Sequence, residues 1–282
     1  MLKEIISRNN ARISDLIREQ TDLGFYQVKK IISGKSVKIN GKRVNTDVTV
    51  KQGDVIYIYI KDREKDKIDI IYEDKNVIVV NKPANMEVEG PDGLKERLEV
   101  AHAEKTLYPV HRLDRNTMGL VIFALTPQAQ TELDKAFKEK TVFKLYNAIV
   151  VGKPKQPSAT LKAYLFKDAK KSLVIISNVE KQGYLPIETR YRLVNTKGDL
   201  SLLEVQLVTG RTHQIRAHLA YIKLPVLGDG KYGVNAINKK YKQNRQLLAN
   251  VNMKFTFPKT SPLAYLNKHN FKLNMDLWSF IG

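Results

Sequence analysis

Residues 111–125 read HRLDRNTMGLVIFAL, a polar stretch that runs straight into the apolar run at 121–125. Such a run is typical of a buried strand. In an extended backbone Arg112 and Asp114 project to one side and Leu113 to the other, whereas on a helix the two charged residues would lie about 200° apart. The spacing therefore favours a loop or strand. A structural ion pair and an active site both remain open from this stretch alone.

Other segments of the chain have the sequence patterns of helices and strands. Two helices are predicted, at 126–140, where Thr126 is a good cap and Pro127 suits the first turn, and at 211–223. Strands are predicted at 141–152, about 172–177, 187–194 and 201–209, with an apolar pair at 69–85 around a turn at 73–76. Because the connections between 172 and 209 are too short for crossover helices, we predict an α+β fold with a mixed, largely antiparallel sheet and flanking helices.

Residues 1–62 form a predicted unit of their own. Two amphipathic segments at 12–20 and 25–34 precede a hairpin at 36–44, a turn at 51–54 and the strand VIYIYI at 55–60, whose Tyr and Ile alternate on two faces. No acid occurs at 28–43, a window that contains the basic residues Lys29, Lys30, Lys35, Lys38, Lys42 and Arg43. This arrangement resembles the small αL RNA-binding module of a small-subunit ribosomal protein, which is also fused to several RNA-modifying enzymes. The alternative is a solvated basic face.

We predict three segments: the αL-type module at 1–62, a charged linker at 63–69 and a catalytic domain at 70–282. The formal net charge is +19, and the excess is distributed along the chain, which favours RNA as the partner. No apolar run approaches the length of a membrane span, so we expect no membrane partner. The chain has no cysteine, which removes thiolate metal sites, and its histidine spacing predicts no metal. The N-terminus has no signal-peptide pattern, so we expect a cytoplasmic location.

Two further constellations compete with the stretch at 111–115. GRTHQIRAH at 210–218 begins a predicted helix, where free N–H groups and Arg211 would receive an anion. On that helix Arg216 lies beside the core residue Ile215 and needs a carboxylate partner, for which Asp114 is the best candidate; the alternative is phosphate binding alone. Tyr146 in KLYNA lies within a strand, and alone it indicates only core packing.

Several motifs, taken together and in order, resemble those of a known protein family. HRLDRNT at 111–117, KLYNAIV at 144–150, GRTHQIRAHL at 210–219 and GDGKYG at 228–233 occur in order, after NKPAN at 81–85. The chain resembles the RluA-type RNA pseudouridine synthases over essentially its whole length. The resemblance implies an isomerase that converts uridine to pseudouridine in structured RNA without metal or organic cofactor.

The resemblance also assigns roles. It implies that Asp114 attacks either the sugar or carbon 6 of the base, or assists a glycal route, and the sequence does not separate these. It implies that Arg216 pairs with that carboxylate, that Tyr146 stacks on the base as a candidate proton acceptor, and that Arg112 enters the RNA stack. We expect the RNA to contact His111, Arg115 and Arg211 as well.

Two local sequences depart from the family pattern. Met118 stands where Ser is usual, and NKPANMEVEG at 81–90 lacks a common histidine-containing continuation. These departures put RNA specificity in doubt rather than catalysis. We expect a monomer acting on large-subunit ribosomal RNA; the alternatives are a synthase acting on transfer RNA and a catalytically silent RNA-binding or ribosome-assembly protein. A glycoside hydrolase would need a second carboxylate near these motifs.

Overall fold

A computed structural model describes residues 2–21, 23, 25–59, 68–102 and 105–281. The chain divides into two compact units, Met1–Lys67 and Ile68–Gly282. In the part described, no helix is both long and apolar enough to cross a membrane. Most of the predicted linker, 63–67, lies outside the described residues, and its last residue, Asp69, already belongs to a strand.

The first unit packs two helices against small sheets. Its elements are β1 (Leu2–Ile6), β2 (Ala11–Arg12), α1 (Ile13–Gln20), α2 (Phe25–Ser33), β3 (Val37–Ile39), β4 (Lys42–Val44), β5 (Thr49–Val50) and β6 (Val55–Tyr59). The antiparallel sheet has the order β1-β6-β3-β4, and β2 pairs with β5. Ile13 and Ile17 of α1 meet Ile56 and Ile58 of β6 in a core of completely buried side chains. The helical and strand periodicities of the sequence thus converge on one apolar cluster.

The second unit is built on one eleven-stranded sheet. Its strands are β7 (Asp69–Glu73), β8 (Val77–Lys82), β9 (Tyr108–Pro109), β10 (Met118–Ala124), β11 (Val142–Val151), β12 (Ser158–Asp168), β13 (Leu173–Ser177), β14 (Leu185–Lys197), β15 (Leu200–Leu207), β16 (Leu248–Phe255) and β17 (Asn270–Lys272). Its helices are α3 (Leu94–Ala101), α4 (Pro127–Lys138), α5 (Gln214–Tyr221) and α6 (Asn235–Lys240), with 3₁₀ turns at Ala264–Lys268 and Leu277–Phe280.

The main strand order is β13-β12-β14-β15-β11-β16-β10-β8-β7, with β17 beside β16 and β9 beside β10. Among the described strands only β10 and β16 pair in parallel. The predicted α+β class with a mixed, largely antiparallel sheet is therefore confirmed. Strands β1, β12 and β16 and helices α3 and α6 are among the elements that were not predicted from the sequence.

Strand β10 lies at the centre because both of its faces are covered. Val121 and Phe123 pack into a cluster that includes Ile215 and Leu219 of α5. Leu120 and Ile122 pack on the other side, where the apolar face of α4 covers them. Helix α4 begins as predicted, since the Thr126 hydroxyl accepts the Ala129 N–H at 3.1 Å. The apolar run that follows HRLDRNT is thus a fully buried strand that holds the polar loop in place.

Gly119 permits the close approach of the parallel pair β10 and β16. Its φ is +104°, and a Cβ built there would overlap the backbone of Asn250, its partner across the pair. Both the dihedral and the clash require glycine.

Replacing Gly119 by alanine is expected to lower the unfolding free energy by about 3 kcal/mol or more, because strain and overpacking add. Gly198→Ala is the matched control: its φ is +61°, and nothing lies within 4 Å of the added Cβ. That variant carries strain alone and should lose only about 1 kcal/mol. Urea unfolding of both variants measures the difference, and equal losses would show that the contact with Asn250 is irrelevant.

Candidate active site

Side chains from the three predicted constellations line a single cleft of about 560 Å³. The cleft contains Asp114 from the loop before β10, Tyr146 from β11 and Arg216 from α5. Asp114 is the one carboxylate among the described residues that line it. Five cationic side chains besides Arg216 also line it: Arg112, Lys138, Lys140, Lys144 and Arg211. The cleft therefore suits an anionic ligand, and it lacks the paired carboxylates of a glycoside hydrolase.

The loop that carries Asp114 is fixed from several sides. His111 stacks on Phe137 with 4.7 Å between the ring centroids, and its Nε2 accepts the Ile122 N–H at 3.0 Å. Burial lowers the pKa of His111 to about 3, so the ring is neutral. Leu113 is buried in the core, and the Thr117 N–H donates to the Asp114 carbonyl at 2.9 Å to close a turn. His111 lines the cleft, but its Nε2 is engaged by the backbone of β10.

Lys82 ties the same loop to the end of β8. Its side chain is completely buried, and its ammonium group donates to the carbonyl oxygens of Pro83 at 2.9 Å, Met86 at 2.7 Å and Arg115 at 3.1 Å. Burial lowers the pKa of Lys82 to about 7, although the charges of Asp114 and Glu87 oppose this shift. Three carbonyl acceptors match the three donors of the charged form. The sequence analysis gave this lysine no role, although it lies within NKPAN at 81–85, at the end of a strand that begins with four apolar residues.

Arg216 lies between two carboxylates. Its Nη1 donates to Asp114 Oδ2 at 2.7 Å, while Nε and Nη2 donate to the two oxygens of Asp229 at 2.7 and 2.9 Å. Burial works to lower the pKa of Arg216, but the two carboxylates outweigh it and raise the pKa. The expected pair of Arg216 and Asp114 is present, and Asp229 is a second partner that the sequence analysis did not identify.

Asp229 is itself completely buried. Besides Arg216, its Oδ1 accepts the N–H groups of Lys231 at 2.8 Å and Tyr232 at 3.1 Å. Burial works to raise the pKa of Asp229, but these donors hold it below the ordinary value. Asp229 belongs to GDGKYG at 228–233, so this turn positions the carboxylate that binds Arg216. The sequence feature that could have indicated this residue is an acid between two glycines.

A second contact reaches Asp114 through His213 and Tyr232. The Tyr232 ring lies 5.2 Å from the Arg216 guanidinium carbon, and its hydroxyl is hydrogen-bonded to His213 Nδ1 at 2.8 Å. The same hydroxyl oxygen accepts the Val174 N–H at 2.8 Å, and His213 Nε2 lies 3.9 Å from Asp114 Oδ2. Burial is the main cause that lowers the pKa of His213. Asp114 thus faces one charged arginine and one histidine whose protonation burial disfavours.

The predicted helix start at 211 is wrong. Helix α5 begins at Gln214, and His213 precedes it with a left-handed φ of 53°. The Arg211 N–H, expected to be free for an anion, donates to Gln214 Oε1 at 3.1 Å, and the same oxygen accepts the Thr209 hydroxyl at 2.9 Å. The Gln214 side chain therefore occupies the Arg211 N–H, whereas the side chain of Arg211 is exposed.

Tyr146 lies on β11 beside a register shift between Leu145 and Tyr146 in the pairing with β16. Its side chain is only 6% exposed. Burial, and then the charge of Asp114, raise the pKa of Tyr146, so the phenol is neutral at physiological pH. The arrangement provides a flat neutral ring in the same cleft as Asp114, the one carboxylate among the described lining residues.

The predicted RNA contacts occupy both units. In the second unit Arg112, Arg115 and Arg211 are exposed, and Arg115 Nε donates to Asn85 Oδ1 at 3.1 Å. In the first unit Lys38 is half-buried, the side chain of Lys30 lies outside the described residues, and the remaining members of the basic set are exposed, namely Lys29, Lys35, Lys42 and Arg43. Met118 is buried against Ile149 and Ala249, so the departure from the usual Ser is a packing difference.

Comparison with known proteins identifies the family. The family described as RNA pseudouridylate synthase matches residues 76–221, which include the loop at 111–117, Tyr146 and Arg216. The chain belongs to the RNA pseudouridylate synthase family. Ribosomal large subunit pseudouridine synthase C of Vibrio vulnificus is 32% identical over 91% of this chain and 88% of its own length. The enzyme of the same name in Rickettsia prowazekii is 35% identical over 73% of this chain and 76% of its own. The RluA-type resemblance is therefore confirmed.

Solved structures of other pseudouridine synthases share the fold. Human RNA Pseudouridylate Synthase Domain Containing 1 has a TM-score of 0.60 at 22% identity, covering 78% of this chain and 95% of its own. Human RNA Pseudouridylate Synthase Domain Containing 4 has a TM-score of 0.61 at 20% identity, covering 75% of this chain and 92% of its own. This chain is thus an RNA pseudouridine synthase in family and in fold.

Replacing Asp229 by asparagine tests whether it orients Arg216. The amide keeps the volume but faces an Arg216 N–H with a donor and removes a charge from a buried pair. We expect the unfolding free energy to fall by about 3 kcal/mol. We also expect kcat for pseudouridine formation to fall by about 100-fold, because Arg216 no longer fixes the Asp114 carboxylate.

Asp199→Asn is the control, since Asp199 is an exposed acid paired with Lys240 at 3.3 Å. It should leave both quantities unchanged. Assays well below the melting temperature separate the two effects. A less stable Asp229→Asn enzyme whose kcat stays within about twofold of the wild type would leave Asp229 with a role in folding alone.

Proposed function

We propose that this protein isomerises uridine to pseudouridine in ribosomal RNA of the large subunit, with Asp114 as the catalytic carboxylate. The carrying observation is the Asp114–Arg216–Asp229 arrangement, which fixes the cleft's one described carboxylate by a 2.7 Å contact to a buried arginine. The names of the similar Vibrio and Rickettsia enzymes support the choice of ribosomal RNA. We assign the reaction to a monomer in the cytoplasm.

Each proposed role follows from the surroundings of its residue. Asp114 is half-buried and lines a cationic cleft, so it can reach an anionic substrate while its orientation is fixed by Arg216. Attack on the sugar, attack on carbon 6 of the base and assistance of a glycal route all use this carboxylate, and all three remain open. Tyr146 offers its neutral ring to the target base for stacking and stands as a candidate proton acceptor.

The target uridine has to leave the RNA stack, which costs a few kcal/mol. We assign Arg112 to the gap that the base leaves, because its exposed side chain lines the cleft two residues before Asp114. Arg115, Arg211 and the lysines of the cleft would hold neighbouring phosphates. A catalytically silent RNA-binding protein would have no use for a buried arginine that holds a carboxylate in an open cleft.

Asp114→Asn is expected to abolish isomerisation. The amide has neither the charge nor the nucleophilic or basic oxygen, so pseudouridine formation in a ribosomal RNA transcript should fall by at least about 10³-fold. RNA affinity should stay within about threefold, because the phosphate contacts are elsewhere. The control is Asp134→Asn, an exposed acid on α4 that should keep full activity. Pseudouridine is counted by mass spectrometry; an active Asp114→Asn enzyme would remove Asp114 from the proposed role.

The basic set of the first unit is proposed to bind RNA phosphates. Replacing its four exposed members, Lys29, Lys35, Lys42 and Arg43, by alanine in the full chain should weaken RNA binding and flatten its salt dependence. The slope of log affinity against log salt should fall by about 0.7–0.9 for each phosphate that the variant no longer neutralises. The control replaces four exposed lysines outside the cleft, Lys254, Lys259, Lys268 and Lys272. Equal effects of the two sets would show that the first set contributes only general surface charge to RNA binding.

A further inference from the structure

Strand β6 has two faces of different composition. Ile56 and Ile58 are completely buried in the core of the first unit. The alternation of a strand therefore directs Tyr57 and Tyr59 to the opposite, outer face of the four-stranded sheet. Tyr59 is 41% exposed and Tyr57 is half-buried. The core of the unit thus makes no use of the two rings, and the proposed catalytic reaction does not use them either.

The register of the sheet places cations beside these rings. Lys38 of β3 pairs with Tyr57 of β6 and, on its other side, with Arg43 of β4. Because directly paired residues share a face, Arg43, Lys38 and Tyr57 form one row across three strands. The Lys38 ammonium group lies 5.2 Å from the centre of the Tyr59 ring. Glu4 of β1 completes the row and is the one acid among the described residues that pair into it.

The same face carries further apolar surface. Ile6 of β1 pairs with Val55 of β6, two positions from Tyr57, and its side chain is 60% exposed. An outer sheet face with an exposed isoleucine, two tyrosines and two cations has both of the components that bind unpaired nucleic acid. Aromatic rings stack on bases of any sequence, and cations attract the backbone. A duplex hides its bases within the stack, so only the cations of this face would serve it.

We propose that this tyrosine face (Tyr57, Tyr59, Lys38 and Arg43) binds unpaired bases of the RNA substrate by stacking. The inference rests on the proposed function in taking RNA as the substrate, and it adds single-stranded segments as the feature recognised by the first unit. Residues two apart on a strand are separated by about 6.8 Å. That is about twice the 3.4 Å spacing of stacked nucleotides along one strand, so the two rings can accept successive bases once these are unstacked.

The test measures binding of the full-length protein to a fluorescent single-stranded oligouridylate and to an RNA duplex of equal length. Substitution of both tyrosines by leucine (Tyr57→Leu with Tyr59→Leu) keeps apolar bulk and removes the rings. We expect single-strand affinity to fall about tenfold or more and duplex affinity to stay within about twofold. Substitution of both by phenylalanine keeps the rings and should restore wild-type binding. Tyr59→Leu alone, at an exposed position, repeats the test if the double variant unfolds.

Photocrosslinking locates the contact directly. Oligouridylate containing 5-iodouridine is irradiated with the wild-type protein, and we expect the crosslinked peptide to contain residue 57 or 59. The inference is overturned if the leucine variants bind the single strand as tightly as the phenylalanine variant and no crosslink maps to β6. It is also overturned if the leucine variants lose stability but not RNA affinity, because the face would then be covered by protein.

The two proposals fail separately. A wild-type protein that forms pseudouridine, combined with unaltered binding by the leucine variants, refutes the tyrosine face alone. A wild-type protein that binds oligouridylate through the rings but forms no pseudouridine refutes the proposed reaction alone.

Discussion

The site depends on one buried guanidinium group that needs two carboxylates. Arg216 is only 6% exposed, and an unpaired charge at such depth would cost several kcal/mol. Asp229 satisfies two of its donors from a fully buried position, which leaves Nη1 directed at Asp114. The carboxylate in the cleft is therefore held by a group that cannot itself turn. A lysine could not replace it, because a single ammonium group lacks the planar fork that binds two carboxylates in fixed directions.

The remaining structure brings three distant segments to this guanidinium. The loop at 111–117 is held by the hydrogen bond between His111 and the backbone of β10, and by the bond that Lys82, at the end of β8, donates to the Arg115 carbonyl. Helix α5 is set by the Gln214 side chain, which binds Thr209 and donates to Thr189 and to the Glu188 carbonyl. The turn at 228–233 is fixed by the Asp229 carboxylate, which accepts the N–H groups of Lys231 and Tyr232 within the same turn. Each segment thus has polar contacts of its own, and Arg216 joins the three.

Local patterns in the sequence were sufficient where the deciding contacts are local. The cap at Thr126, the alternation of β6 and the apolar stripe of α4 depend on residues a few positions apart, and the structure has them as predicted. The prediction of where α5 starts was wrong because the side chain of Gln214, three residues after Arg211, accepts the Arg211 N–H outside the helix. Asp229 was missed because its partner is thirteen residues away, and spacing cannot choose between a glycine-rich turn and a buried acid.

Catalysis and RNA binding make opposite demands on charge, and the chain meets them in different places. We assign RNA phosphates to exposed cations, whose attraction falls with salt. The contact between Asp114 and Arg216 is only partly open to solvent, so salt screens it less than it screens the exposed cations. The buried cations Arg216 and Lys82 are saturated by protein oxygens and have little attraction left for a passing phosphate. Because the fixed ion pair does not compete with the proposed phosphate contacts, we expect the cleft to keep its geometry while the RNA is exchanged.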